Sequence, residues 1–131
     1  STELGRRWIA RGTQGRIVNI GSLSDSRAMP GHTVYGTSKA AIARLTQQLA
    51  REWINQGINV NALAPGYIET DLNKEFLENE KVKNLLAERI PTGGPGKAED
   101  VAKLIAALLV EDIPFMTGST VYLDGGQTFA H

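Results

Sequence analysis

Three short apolar segments, rich in β-branched residues and separated by helical stretches, constrain the fold of this chain most strongly. They span residues 16–22, 58–66 and 119–126, and each is bounded by glycine. A short apolar run between such punctuating residues suits a strand that is buried on both faces of a sheet. We therefore predict three strands, which is a small number for a sheet of this kind.

The stretches between these strands carry helix signals. In the longest of them, apolar side chains recur at helical spacing, at Ile42, Leu45, Leu49 and Trp53. Alternation of strands and helices predicts an α/β fold, with a parallel sheet and helices on both faces. The predicted helices cover residues 4–11, 34–56, 74–90 and 97–110, and Gly57 is expected to end the second.

Composition excludes several classes of partner and chemistry. Basic and acidic residues both number 14, so no net positive charge favours nucleic acid or an anionic membrane. The absence of cysteine removes disulfides, thiolate metal ligands and a cysteine nucleophile, and we predict no metal site. There is no long apolar run and no signal-peptide layout, so a cytoplasmic location is expected.

Polar residues follow the first two predicted strands at the points where these strands end. Ser22 closes the first strand, and Tyr35 and Lys39 open the helix that follows it. Pro65, Gly66 and the YIET segment lie where the second strand ends. Ligands of open parallel sheets bind beyond the carboxyl ends of the strands. Three segments of the chain are therefore expected to deliver their side chains to one site.

The chemistry that suits these side chains is proton transfer. Tyr35 and Lys39 are four residues apart, so on a helix they project from the same face. A nearby ammonium stabilises the phenolate form of a tyrosine, which otherwise exchanges protons poorly at neutral pH. The Ser22 hydroxyl can donate and accept hydrogen bonds, so it could hold a substrate carbonyl or alcohol against the phenol.

Taken singly, these residues also have simpler interpretations. Ser22 is an ordinary turn residue, and the Tyr35–Lys39 pair could be a solvated pair on a helix surface. Thr70, together with Asp71, could be an N-cap for the helix that follows. His32 is expected to be a loop residue near the mouth of a substrate site.

Four motifs in order make the sequence resemble the short-chain dehydrogenase/reductases. Ser22 lies within NIGS, thirteen residues before the tyrosine of YGTSK, which matches a Tyr-x-x-x-Lys motif. The later matches are NVNALAPGYIET after the second strand and GSTVYLDGG at the last strand. Together the motifs extend over roughly residues 15 to 126.

The resemblance implies a Rossmann-like fold and hydride transfer between a nicotinamide cofactor, NAD or NADP, and a carbonyl or alcohol substrate. It implies that Tyr35 is the general acid/base and that Ser22 positions the substrate oxygen. By the same resemblance, Lys39 makes the phenol more acidic and hydrogen-bonds the nicotinamide ribose. Helix 74–90 would cover the substrate.

Further cofactor contacts are implied by the same family. Pro65 and Gly66 would pass beneath the nicotinamide. The Ile68 backbone and the Thr70 hydroxyl would lie near its carboxamide or near the phosphates. Tyr35 and Lys39 complete the expected cofactor-binding set.

The sequence also departs from the family pattern. The glycine-rich turn Gly-x-x-x-Gly-x-Gly, the Asn-Asn-Ala-Gly segment and the catalytic helix asparagine are not found, and Gly94 stands where many relatives carry arginine. Residues 1–131 are therefore expected to form the C-terminal catalytic half of one Rossmann domain, with three of the usual seven strands. The N-terminal cofactor-binding half would be absent from this sequence.

Two functions remain open on the sequence alone. One is an oxidoreductase that interconverts a secondary alcohol and a ketone, with the missing N-terminal half as a partner. The other is a non-catalytic fragment or association module that lacks the dinucleotide-binding half. The family resemblance also implies a homo-oligomer, either a dimer or a tetramer.

Overall fold

The computed structural model describes residues 1–130, which form an α/β fold. The helices within these residues are α1 (Thr2–Arg11), α2 (Thr33–Trp53), α3 (Lys74–Leu77), α4 (Glu80–Arg89) and α5 (Ala98–Val110). The strands are β1 (Gly15–Ile20), β2 (Ile58–Pro65), β3 (Ile68–Glu69), β4 (Gly96–Lys97) and β5 (Thr120–Leu123). Short 3-10 turns follow β1 and α2.

The principal sheet has three parallel strands in the order β1-β2-β5. Gly15 of β1 pairs with Ile58 at the start of β2, and Pro65 at the end of β2 pairs with Leu123. The central strand is almost fully buried, as a strand covered on both faces must be. The predicted fold class, a partial parallel sheet with flanking helices, is confirmed.

The main core lies where α1 and α2 pack on the amino-terminal part of the sheet. Two glycines permit this close packing, because a Cβ atom on Gly5 or Gly15 would lie 2.3 Å from an indole ring. The rings belong to Trp53 and Trp8, respectively. The buried members of the core are Ile17, Leu49, Ala50, Trp53, Ile58 and Val60.

Gly57 ends the long helical segment, as predicted. The 3-10 turn Ile54–Gln56 continues α2, and Gly57 follows it in the left-handed conformation with φ of 73°. Glycine adopts this conformation without the steric cost of a Cβ atom. Its N–H donates to the Ile54 carbonyl at 3.0 Å and closes the turn.

The predicted single helix over residues 74–90 is wrong in one respect, because it is divided into α3 and α4. The Asn79 side chain accepts a hydrogen bond from the Lys81 N–H at 2.9 Å and caps α4. An asparagine in this role satisfies a backbone donor that an uninterrupted helix would have bonded internally. The break therefore has a local cause that hydrophobic spacing does not reveal.

Two further differences concern strands. The last strand was expected over 119–126 but covers only Thr120–Leu123, because Asp124 forms a turn with the backbone that follows. In addition, β3 and β4 pair in parallel as a small second sheet, where the sequence indicated a loop and a helix start. Within residues 1–130, no helix is both long and apolar enough to span a membrane.

Candidate active site

Ser22 lies directly beyond the carboxyl end of β1. It caps the 3-10 turn Leu23–Asp25, and its Oγ accepts a hydrogen bond from the Ser24 N–H at 3.3 Å. The residue is buried, so its orientation is well defined by its surroundings. Because Oγ accepts from the backbone, its own O–H remains able to donate to another oxygen.

Tyr35 and Lys39 lie on the first turns of α2, on the same face, as their spacing predicts. The Lys39 Nζ atom lies 5.6 Å from the centroid of the Tyr35 ring, which is within the range of a cation–π interaction. The same Nζ donates to the Ile20 carbonyl at the end of β1, at 3.2 Å. This bond fixes the ammonium and leaves two of its N–H donors free.

Pro65 and Gly66 end the central strand. The Gly66 N–H donates to the Leu123 carbonyl at 3.0 Å, so the turn is tied to β5. A Cβ atom on Gly66 would lie 2.8 Å from the Asp124 Cβ atom, closer than such atoms pack. The close approach of the two chain segments therefore requires glycine at this position.

A cleft of about 400 Å³ at this edge of the sheet brings Ser22, Tyr35 and Gly66 together. Its volume lies in the range of small-molecule sites. Its remaining walls come mainly from the loop between β1 and α2. The other lining residues are Leu23, Ser24, Met29, Gly31, His32 and Tyr67.

Ile68 and Thr70 lie outside this cleft. Ile68 lines a neighbouring cavity of about 490 Å³ between the glycine-rich turn at 92–97 and the end of β5. The Asn73 side chain bonds both residues, since its amide donates to the Ile68 carbonyl at 2.9 Å and its oxygen accepts from the Thr70 N–H at 2.8 Å. The N-cap of α3 is Asn73, so the suggestion that Thr70 caps this helix is wrong.

Two carboxylates lie near the end of β5, Asp25 on the cleft loop and Asp124 on the turn that follows the strand. The Tyr122 O–H donates to Asp25 at 2.8 Å, and burial raises the pKa of this phenol, with the Asp25 contact adding to the rise. Burial alone would raise the pKa of Asp124. Hydrogen bonds from the Thr128 side chain, the Thr128 N–H and the Gly126 N–H outweigh this effect and lower it.

Sequence reasoning missed several residues that line the cleft. Met29 and Ser24 belong to a loop without hydrophobic periodicity, so nothing in the pattern indicated that they face the site. Tyr67 belongs to the segment after the Pro-Gly turn, and the sequence pattern did not indicate a functional role for it. His32 was expected near the substrate mouth, and it lines the cleft beside Tyr35. Within residues 1–130, no cluster of three or more His, Asp or Glu side chains could hold a metal ion.

Comparison with known proteins finds relatives that are named reductases and dehydrogenases. The family model described as enoyl-(acyl carrier protein) reductase matches residues 2–128. The 3-oxoacyl-(acyl-carrier-protein) reductase of Haemophilus influenzae is 41% identical over 86% of this chain and 46% of its own length. Glucose 1-dehydrogenase of Gluconobacter oxydans is 34% identical over 96% of this chain and 47% of its own length.

Solved structures agree with the curated relatives. A gluconate 5-dehydrogenase from Burkholderia cenocepacia, in complex with NADP and tartrate, superposes with a TM-score of 0.90 at 34% identity. A 4-hydroxyisoleucine dehydrogenase complexed with NADH superposes with a TM-score of 0.94, also at 34% identity. Each match covers 99% of this chain, and 51% and 54% of the two solved chains, respectively.

The chain spans about half the length of the curated relatives it matches. Its sheet is correspondingly a part of the Rossmann-type sheet of the solved relatives. The family model nevertheless covers nearly all of the residues that are present. The chain belongs to the short-chain dehydrogenase/reductase family.

Proposed function

We propose that the protein containing this chain is an NAD(P)-dependent oxidoreductase that interconverts a secondary alcohol and a ketone. The observation that carries this proposal is the cleft in which Ser22 and Tyr35 meet, with the Lys39 ammonium beside the Tyr35 ring. A hydroxyl that donates, a phenol and a fixed cation are the groups that carbonyl reduction needs. The names of the relatives, reductases and dehydrogenases, support the same class of reaction.

In the reducing direction, the carbonyl oxygen of the substrate accepts hydrogen bonds from the Ser22 and Tyr35 hydroxyls. A bound reduced nicotinamide supplies the hydride that forms the new C–H bond at the carbonyl carbon. As negative charge develops on the oxygen, Tyr35 transfers its proton there, and the alcohol forms. The Lys39 ammonium stabilises the phenolate that remains. Oxidation of the alcohol reverses these steps.

The residues present fit the nicotinamide end of such a cofactor. Gly66 lines the cleft without a side chain, directly after Pro65 at the end of β2. Lys39 retains two N–H donors that suit ribose hydroxyls. We assign Ile68 and Thr70 to the cofactor's carboxamide or phosphate region, adjacent to this cleft rather than within it.

The chain itself is proposed to be the C-terminal catalytic half of one Rossmann domain. The residues that bind the adenosine and pyrophosphate groups of the cofactor would belong to an N-terminal half outside this sequence. Solved relatives contain NADP in one case and NADH in another, and either cofactor suits the residues described here. A small carbonyl or alcohol substrate and a homo-oligomeric assembly complete the proposal.

Replacement of Tyr35 by Phe tests the proposed reaction. In the full-length protein encoded by the gene, Tyr35→Phe should lower turnover of a ketone panel with NADH or NADPH by roughly a thousandfold, because it removes the proton donor. Tyr67→Phe is the matched control, since Tyr67 also lines the cleft, and it should cost less than about tenfold. Turnover by Tyr35→Phe at the wild-type rate would contradict the assignment.

A second candidate, an association module without catalysis, is favoured by α5. This helix is mostly apolar, yet none of its residues is buried within residues 1–130. Apolar helix faces are normally covered by another element or chain. Calorimetric titration of the 131-residue chain with NADH and NADPH separates the candidates, because micromolar binding by the isolated chain would argue against a module that lacks a cofactor site.

A further inference from the structure

His32 is one of the polar side chains of the cleft that the proposed reaction leaves without a role, together with Ser24 and Tyr67. It is the N-cap residue of α2, and its carbonyl accepts a hydrogen bond from the Gly36 N–H at 2.6 Å. Its imidazole packs edge-on against Tyr35, with ring centroids 5.8 Å apart and ring planes at 90°. The backbone and this contact together hold the imidazole in place beside the phenol.

The two nitrogens of this imidazole differ in their surroundings. The Nδ1 atom is buried and has no hydrogen-bond partner among residues 1–130. A buried N–H without an acceptor is rarer than an unpaired acceptor, so the neutral ring should carry its proton on Nε2. His32 lines the cleft, and Nε2–H is the ring donor that remains for a molecule bound there.

The position of this donor sets it apart from the other lining groups. Leu23 and Met29 are apolar, Ser22 and Tyr35 are engaged by the reacting oxygen, and of the remaining polar residues His32 is the one whose ring packs on Tyr35. The His32 ring packs on the Tyr35 ring and is therefore a neighbour of the phenol that would hold the reacting carbonyl. In an apolar site, a small number of precisely placed polar groups usually determines which substrates are accepted.

We propose, on the basis of the function proposed above, that His32 is a substrate-positioning residue that determines specificity. It donates a hydrogen bond from Nε2 to an acceptor oxygen on the carbon next to the reacting carbonyl. The substrates selected are therefore hydroxyketones and, in the oxidising direction, vicinal diols. His32 takes no part in the proton transfer, which remains with Tyr35.

Matched substrate pairs test this role in the full-length protein. The pairs are 3-hydroxy-2-butanone with 2-butanone, and 2-hydroxycyclohexanone with cyclohexanone, each assayed with NADH and NADPH. His32→Phe keeps an aromatic ring against Tyr35 but removes the donor. It should lower kcat/KM for the hydroxylated member about tenfold, through KM, as expected for one lost hydrogen bond. The plain ketone should change less than about twofold.

Two controls make the result specific. His32→Gln retains an N–H donor and should preserve most of the preference for the hydroxylated member. Val34→Ala alters an exposed side chain two residues further along and should preserve all of it. Equal losses on both members of a pair, or a preference unchanged in His32→Phe, would overturn the role of His32 while leaving the reaction intact. Absence of turnover on every pair would overturn the proposed function, and this role with it.

Discussion

The two ends of α2 differ in what they contact. Near its C-terminal end, Leu49 and Trp53 are 4% and 7% exposed and belong to the main core beneath the sheet. Near its N-terminal end, Val34 and Tyr35 are 83% and 48% exposed, and Tyr35 lines the cleft. One continuous helix therefore has a structural end and a chemical end.

This division shows how a reactive side chain can be accessible and still be held in place. Midway along the helix, the fully buried Thr46 accepts a hydrogen bond from the Asn19 amide at 3.0 Å and donates to the Ile42 carbonyl at 2.9 Å. Lys39 bonds the end of the same strand, β1. The chemical end is thus positioned by bonds to β1 and by the buried end of its own helix.

The largest expected effect falls on the structural end. Trp53→Ala should lower the free energy of unfolding by about 3–5 kcal/mol, because it leaves a large cavity in the core. Urea denaturation of the full-length protein measures this change. The folded protein should keep its kcat/KM within about threefold. A Trp53→Ala enzyme that unfolds normally but has lost its catalysis would contradict the division of the helix.

At the chemical end, Lys39→Met should lower kcat/KM roughly a hundredfold, or about 2.7 kcal/mol of transition-state stabilisation. It removes the cation beside the Tyr35 ring while keeping a side chain of similar length. Steady-state kinetics measures the loss, and urea denaturation should show little change in stability. Full activity in Lys39→Met would show that the ammonium does not serve the phenol.

Gly5→Ala should destabilise the protein by about 1–3 kcal/mol, since the new Cβ atom would overlap the Trp53 ring. Alanine has a higher helix propensity than glycine, so the substitution would stabilise the protein if this contact were absent. Gly94→Ala is the control, because a Cβ atom there meets open space. It should change stability by less than about 1 kcal/mol. Equal effects at both sites would refute the packing argument.

The smallest effect concerns Asp124, whose lowered pKa is linked to stability. Because its folded pKa lies below the unfolded value, its contribution is present at neutral pH and is lost as pH falls below about 4. Asp124→Asn should lower the free energy of unfolding by about 1 kcal/mol at pH 7. It should also flatten the acid limb, which is the fall of this free energy with pH below about 4. Asp71→Asn, at an exposed position, should leave that limb steep. Identical acid limbs in wild type and Asp124→Asn would exclude this linkage.

Sequence reasoning recovered the features that depend on repeated or paired residues. The apolar runs predicted the three parallel strands, and the spacing of Tyr35 and Lys39 predicted their juxtaposition on α2. Gly57 ended its helical segment because a left-handed residue there favours glycine. These features are set by local chemistry or by a period that the sequence displays.

Features that depend on single contacts, rather than on a repeated pattern, were not recoverable. The Asn79 cap that divides the 74–90 helix is one side-chain hydrogen bond, and the β3–β4 pairing involves two residues of each strand. The contributions of Met29 and Tyr67 to the cleft depend on how irregular segments fold over the sheet edge. The functional roles of Ser22, Tyr35 and Lys39 remain predictions until kinetics are measured.

A double-mutant cycle on Ser22 and Tyr35 tests the central claim most directly, because both hydroxyls are assigned to one substrate oxygen. The rate of nicotinamide oxidation would be measured for the full-length wild type, Ser22→Ala, Tyr35→Phe and the double variant. We expect the double variant to be slower than Tyr35→Phe by less than about threefold, since residues that act as a unit lose catalysis together. A rate loss in the double variant equal to the product of the two single-variant losses would contradict a shared proton-transfer site. A Tyr35→Phe protein as fast as wild type would contradict it as well.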